Sequence, residues 1–161
     1  MTVFYKVLVL TYLLGVIITL ASEKYRVLKY IILLAIVTIF VMVSGFRNNI
    51  GDTIFYKHSY NLLAENPVIN WEGKDIGFSV FQLMLISISD NPQFLVLVTS
   101  LITQSLNIIT LYTYKNLYEL QVYMYITSGY WLTSMNGIRQ AMAAAIIFAA
   151  TSFIVKGRFF Y

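Results

Sequence analysis

Three short stretches collect the residue types that could do chemistry. In Phe46-Arg47-Asn48-Asn49-Ile50-Gly51-Asp52-Thr53-Ile54-Phe55-Tyr56, an arginine follows an apolar run and a glycine turn brings Asp52 close behind it. A guanidinium in that position could grip a phosphate with both arms of its planar fork. The plainer reading is an interfacial anchor that ends the helix, with Asp52 as its ion-pair partner. The second stretch, Trp71-Glu72-Gly73-Lys74-Asp75-Ile76-Gly77-Phe78, sets two carboxylates just ahead of an apolar segment. Either could deprotonate a hydroxyl nucleophile, and Asp75 could equally well cap the helix that follows. In the third, Ser134-Met135-Asn136-Gly137-Ile138-Arg139-Gln140-Ala141-Met142-Ala143, residues Asn136, Arg139, Gln140 and Ala143 would share one face of a continuous helix. A charge at the centre of a bilayer costs about 2.5–3.5 kcal/mol even on the lenient insertion scale. Arg139 is therefore expected to face a cavity, a partner or a bound anion, the alternative being a cytoplasmic loop arginine.

Other chemistries have little to work with. The chain has no cysteine, which excludes disulfides, thiolate catalysis and cysteine-held metals. Its one histidine, His58, stands between Lys57 and Ser59 with no second ligand beside it, so it reads as a solvated side chain and no metal site is expected. The net charge of +4 comes from basic residues scattered between apolar runs and not from a dense patch, so no nucleic-acid partner is expected.

The elements that must position these stretches are membrane helices. Hydrophobic residues make up 59% of the chain and charged ones 11%, whereas a soluble domain carries about 25% charged residues. The expected fold is all-α, a polytopic membrane bundle of about four to six segments forming a single domain over residues 1–161. The first apolar run, roughly Val3 to Leu20, has features of a signal peptide, but a second run from about Val27 to Phe46 follows after Ser22-Glu23-Lys24-Tyr25-Arg26. A helical hairpin is the simpler reading. Lys29 lies near enough to the turn to snorkel. Residues 47–76 read as one long polar loop, a length that marks a functional connection. Ile76 to Ser89 is apolar but short for a crossing, and Asp90-Asn91-Pro92 breaks it. Phe94 to Tyr114 is free of charge, with Gln104, Ser105 and Asn107 expected to face protein instead of lipid. Leu120 to Met135 and Ala141 to Val155 are either two helices or one interrupted helix, and the alanines at 141, 143, 144 and 145 permit close helix packing.

Basic residues near the first turn outnumber acidic ones, while the 47–76 loop carries slightly more acid than base. The positive-inside rule thus puts the turn in the cytoplasm and the N-terminus and long loop outside. The last residues, Lys156-Gly157-Arg158-Phe159-Phe160-Tyr161, look like the start of a further apolar run, so the chain is expected to be truncated at its C-terminus.

Taken together, Arg47 with Gly51-Asp52-Thr53 and Tyr56, then Asp75-Ile76-Gly77-Phe78, then Ser134-Met135-Asn136-Gly137-Ile138-Arg139-Gln140 and its alanines resemble, in order and spacing, the EpsG family of Wzy-like exopolysaccharide polymerases. The Asn-Gly-Ile-Arg-Gln element is the most specific part and the Asp-x-Gly-Phe element the least. The resemblance runs over about the whole chain but only the N-terminal part of the family's expected length.

It implies a multi-pass glycosyltransferase of the bacterial cytoplasmic membrane. Such an enzyme joins oligosaccharide repeat units carried on undecaprenyl pyrophosphate, at the outer face, into exopolysaccharide, capsule or O-antigen. Asp52, Asp75 and Arg139 would be its catalytic residues, and Arg47, Tyr56, Glu72, Asn136 and Gln140 its substrate contacts. No metal or other cofactor is implied. The partners would be the lipid-linked oligosaccharide, membrane lipid and polysaccharide-export proteins. Two other classes fit the same residues: a flippase-like transporter of the lipid-linked unit, suggested by the intramembrane arginine, and an inactive fragment or subunit. Chain elongation separates the polymerase from both.

Overall fold

The computed structural model describes residues 2–48, 50–68, 75–114 and 117–155. Glu72 and Trp71, together with the basic and aromatic end from Lys156 onward, fall outside the described residues.

Eight α-helices follow one another among the described residues: α1 (Thr2–Leu20), α2 (Arg26–Gly45), α3 (Thr53–Glu65), α4 (Ile76–Ile86), α5 (Pro92–Thr113), α6 (Tyr118–Thr127), α7 (Tyr130–Asn136) and α8 (Ile138–Val155). Three stretches, Thr2–Leu20, Glu23–Gly45 and Pro92–Thr113, are long and apolar enough to cross a membrane. Their 19, 23 and 22 residues match the need for about 20 in a bilayer core. Val9, Leu13 and Ile17 on α1 and Ile31, Leu34 and Met42 on α2 are exposed, an outward apolar surface that lipid, and not water, would solvate. The expected helical membrane bundle is the fold observed.

Contacts between helix ends fix the two ends of the bundle. Tyr30 at the start of α2 meets Tyr112 at the end of α5, rings 6.1 Å apart, while Gln93 at the start of α5 donates to the Gly45 carbonyl at the end of α2. α2 and α5 are thus antiparallel. α1 brings Phe4 against Trp131 of α7 at 5.4 Å and its far end to α6, where Thr19 donates to Glu119. That crossing is tight: a Cβ on Gly15 would lie 2.9 Å from the Glu119 Cα, so glycine is required for the two backbones to meet.

α6 and α7 together climb from the Ser22–Arg26 turn end to the opposite end, interrupted at Gly129, whose φ of +78° only glycine adopts readily. α8 then returns, packing along α5 with Ala141 and Ala145 buried and Phe148 near Asn107 and Leu111.

Two expectations are corrected by this architecture. Residues 47–76 are not one irregular loop, since α3 occupies Thr53–Glu65. The residues of the third stretch do not share one face, since of the two arrangements left open there two helices is the one observed, and Gly137, between α7 and α8, takes Asn136 off the face that carries Arg139 and Gln140. α4 is too short to span, and both its flanks stay at the end opposite the turn: Asp75 reaches Arg139, and the Ser89 carbonyl accepts from Tyr60 of α3 at 2.7 Å. The break at Asp90-Asn91-Pro92 starts α5, with Asn91 accepting from the Gln93 N–H and Pro92 in the first turn. Lys29 reaches back along α2 to Glu23 of the turn at 3.1 Å with its stem buried, the snorkelling expected of it.

A string of buried polar groups ties the bundle together where lipid would offer none of them a partner. Asn107 donates to the Tyr125 hydroxyl, which donates to Gln104 at 2.7 Å; Gln104 in turn donates to Ser134. Trp131 donates to Ser44 at 3.0 Å. Gln104 and Asn107 therefore face protein, as their polarity within an apolar run predicts.

Candidate functional site

At the end of the bundle opposite the basic turn, α3, α4 and the first turn of α8 line an open cavity of about 530 Å³, within the range of about 300–1,000 Å³ usual for ligand pockets. Each of the first two helices gives it one face at helical spacing: Asp52, Phe55, Tyr56 and Ser59 from α3, and Asp75, Phe78, Ser79 and Gln82 from α4. Arg139 closes the third side. Its Nη1 donates to Asp75 Oδ2, joining α8 to α4 across a separation of 64 residues in sequence. Asp75 occupies the N-cap position of α4, yet its side chain makes no capping hydrogen bond there. Its carboxylate is committed to Arg139 instead, so the capping role is not the one it fills.

Asp52 is placed by its backbone. The Asp52 N–H donates to Asn136 Oδ1 at 2.9 Å, a clasp between the start of α3 and the end of α7. The clasp depends on Gly51, at φ +54°, where an added Cβ would lie 1.9 Å from Asn136 Oδ1 and 3.0 Å from its Cα. Gly51→Ala is expected to cost about 1–3 kcal/mol through the left-handed backbone alone, and also to displace Asp52. Thermal unfolding in detergent, compared with Gly77→Ala, which meets open space, checks this.

Arg47 is placed differently. It is 5% exposed; its Nε donates to Thr53 Oγ1 at 3.1 Å and its Nη1 to Ser100 Oγ at 3.0 Å and to the Ser44 carbonyl. Among the described residues Nη2 has no partner, and Asp52 is not bonded to the guanidinium. Burial lowers the Arg47 pKa to about 10, so it stays charged at neutral pH. It does not line the Asp75–Arg139 cavity. Of the remaining expected site residues, Tyr56 lines the cavity with its ring edge-on to Phe78 at 5.8 Å, Asn136 meets it only through the Asp52 N–H, and Gln140 is exposed beside Gly137.

The structure thus brings Asp52, Tyr56, Asp75 and Arg139 to one cavity and leaves Arg47 and Gln140 off it. It adds Phe55, Ser59, Ser79 and Gln82, which sequence reasoning passed over. The signal was present as Asp52, Phe55, Tyr56, Ser59 and again as Asp75, Phe78, Ser79, Gln82, each i, i+3, i+4, i+7. It becomes visible once residues 53–65 are taken as a helix.

Fold and site define a helical membrane protein with a charged, aromatic-walled cavity at one end of its bundle. Residues 30–161 match the model of the EpsG family, and the chain belongs to that family, a family of Wzy-like polymerases. The match starts in α2 and includes every cavity residue, leaving all of α1 outside it. No curated protein and no solved structure matches the chain.

Proposed function

We propose that this cavity joins lipid-linked oligosaccharide repeat units into exopolysaccharide, capsule or O-antigen, in the bacterial cytoplasmic membrane. The observation that carries the reading is the Asp75–Arg139 ion pair set in a cavity that Asp52 and Tyr56 also line, in a chain of this family. The substrate would be an oligosaccharide on undecaprenyl pyrophosphate, and the polymer formed from it would pass to polysaccharide-export proteins.

In the reaction, an acceptor sugar hydroxyl attacks the anomeric carbon of the growing chain. The bond from that carbon to the pyrophosphate oxygen breaks, a glycosidic bond forms, the hydroxyl proton passes to a carboxylate, and undecaprenyl pyrophosphate leaves. Arg139 stabilises the charge that grows on the leaving pyrophosphate, an interaction stronger in the transition state than before it. When the pyrophosphate takes Arg139, Asp75 is released from its ion pair and becomes the base, while Asp52 orients the acceptor. Arg47 holds the 50–53 segment in place from behind and acts as a positioning residue. The cavity lies opposite the Ser22–Arg26 turn, so a cytoplasmic turn sets it at the outer face.

Asp75→Asn is expected to lower turnover by about 10²-fold or more, the usual contribution of a general base, and Asp52→Asn by less than about tenfold. Rates of polymer formation by the two variants test the assignment, and reversed effects would transfer the base role to Asp52.

A further inference from the structure

Gln82 is the feature of the cavity that stability does not explain. It is 3% exposed, and its Nε2 has no hydrogen-bond partner among the described residues. A buried amide without a partner is destabilising, whereas an apolar side chain of like size would not be. On α4, between Phe81 and Leu83, leucine or methionine would suit the local sequence equally well. Gln82 nevertheless lines the cavity on the same face as Asp75, one turn beyond Phe78 and Ser79.

The surroundings indicate what it awaits. Besides Arg139 and the carboxylates, the walls include the edge-on ring pair Tyr56 and Phe78 with the hydroxyls of Ser59 and Ser79. Aromatic rings suit the apolar C–H faces of a pyranose, and neutral donors and acceptors at the rim suit its ring hydroxyls. A phosphate would need cationic or backbone N–H donors, and Arg139 is the one cation among the residues lining the cavity.

We infer that Gln82 is the hydroxyl donor of a sugar subsite in this cavity, its Nε2 donating to a hydroxyl oxygen of a neutral sugar residue packed on Tyr56 and Phe78. The subsite rests on the polymerase reading and gives it a place for the acceptor sugar. Because Gln82 touches sugar and not pyrophosphate, it separates the two halves of the substrate.

The test uses the protein expressed from its complete gene and purified in detergent. Binding is measured by calorimetry with two probes, the strain's repeat-unit oligosaccharide freed of lipid and pyrophosphate, and inorganic pyrophosphate. Gln82→Leu is expected to weaken oligosaccharide binding about three- to tenfold, the effect of one neutral hydrogen bond. It should leave pyrophosphate binding unchanged and the unfolding temperature equal to wild type or higher. A merely structural glutamine would lower that temperature instead. Gln82→Glu, which keeps the shape and removes the donor, should weaken oligosaccharide binding likewise. Unchanged oligosaccharide affinity in both variants, or loss of pyrophosphate binding in the uncharged Gln82→Leu, overturns the subsite while wild-type polymer formation keeps the polymerase reading standing. A wild-type protein that binds no oligosaccharide and forms no polymer overturns both.

Discussion

Arg139→Lys is expected to leave a strain with single repeat units in place of long polymer, a loss of turnover of about 10²-fold or more. Lysine keeps the charge but not the planar fork, so it cannot hold two oxygens of a pyrophosphate at once. The side chains of Arg139 and Asp75 are 37% and 49% exposed, and an ion pair so open to solvent contributes about 0–1 kcal/mol to stability. The variant should therefore express and unfold like the wild type while failing in synthesis. Complementation of a polymerase-deleted strain, with sizing of the polysaccharide by electrophoresis, reads the outcome. Normal polymer length at normal expression would remove Arg139 from the chemistry.

Arg47→Leu is expected to do the opposite, lowering stability first. Its guanidinium satisfies Thr53 Oγ1, Ser100 Oγ and the Ser44 carbonyl, all buried at the junction of α2, α3 and α5. Leaving such groups without their charged donor costs about 2–4 kcal/mol. The Ser44 end of this junction also holds Trp131, so the damage reaches α7 and the Asn136 clasp on Asp52. Unfolding in detergent should shift well below that of Arg139→Lys, with polymer yield falling in step with the amount of folded protein. Wild-type stability combined with lost synthesis would instead mean that Arg47 meets the substrate itself.

The contrast between the two arginines shows where sequence reasoning stopped. Both follow apolar runs, both can bind phosphate, and spacing alone treats them alike. What separates them is tertiary: Ser100, 53 residues along the chain, bonds Arg47, and Asp75, in a different helix, bonds Arg139. The apolar runs behind α1, α2 and α5 were legible because membrane spans are long and nearly chargeless. The Asn91-Pro92 start of α5 was legible for its capping chemistry. α3 was not, because Thr53–Glu65 is amphipathic, with Lys57, His58 and Asn61 among its apolar positions, and tertiary contact with α4 and α5 stabilises it. Gly137 hid a helix break inside what the period alone read as one face. With α3 read as a loop, the matching faces that carry Tyr56 and Gln82 were invisible.

The most direct measurement is chain elongation by the purified protein in detergent, where no two compartments exist, with undecaprenyl-pyrophosphate-linked repeat units as the only substrate. The account predicts a ladder of longer oligosaccharides and released undecaprenyl pyrophosphate from the wild type, and single units only from an equally stable Arg139→Ala. A wild type that returns its substrate unchanged would contradict it and favour a translocase, and a ladder from Arg139→Ala would contradict the Asp75–Arg139 cavity as the place where units are joined.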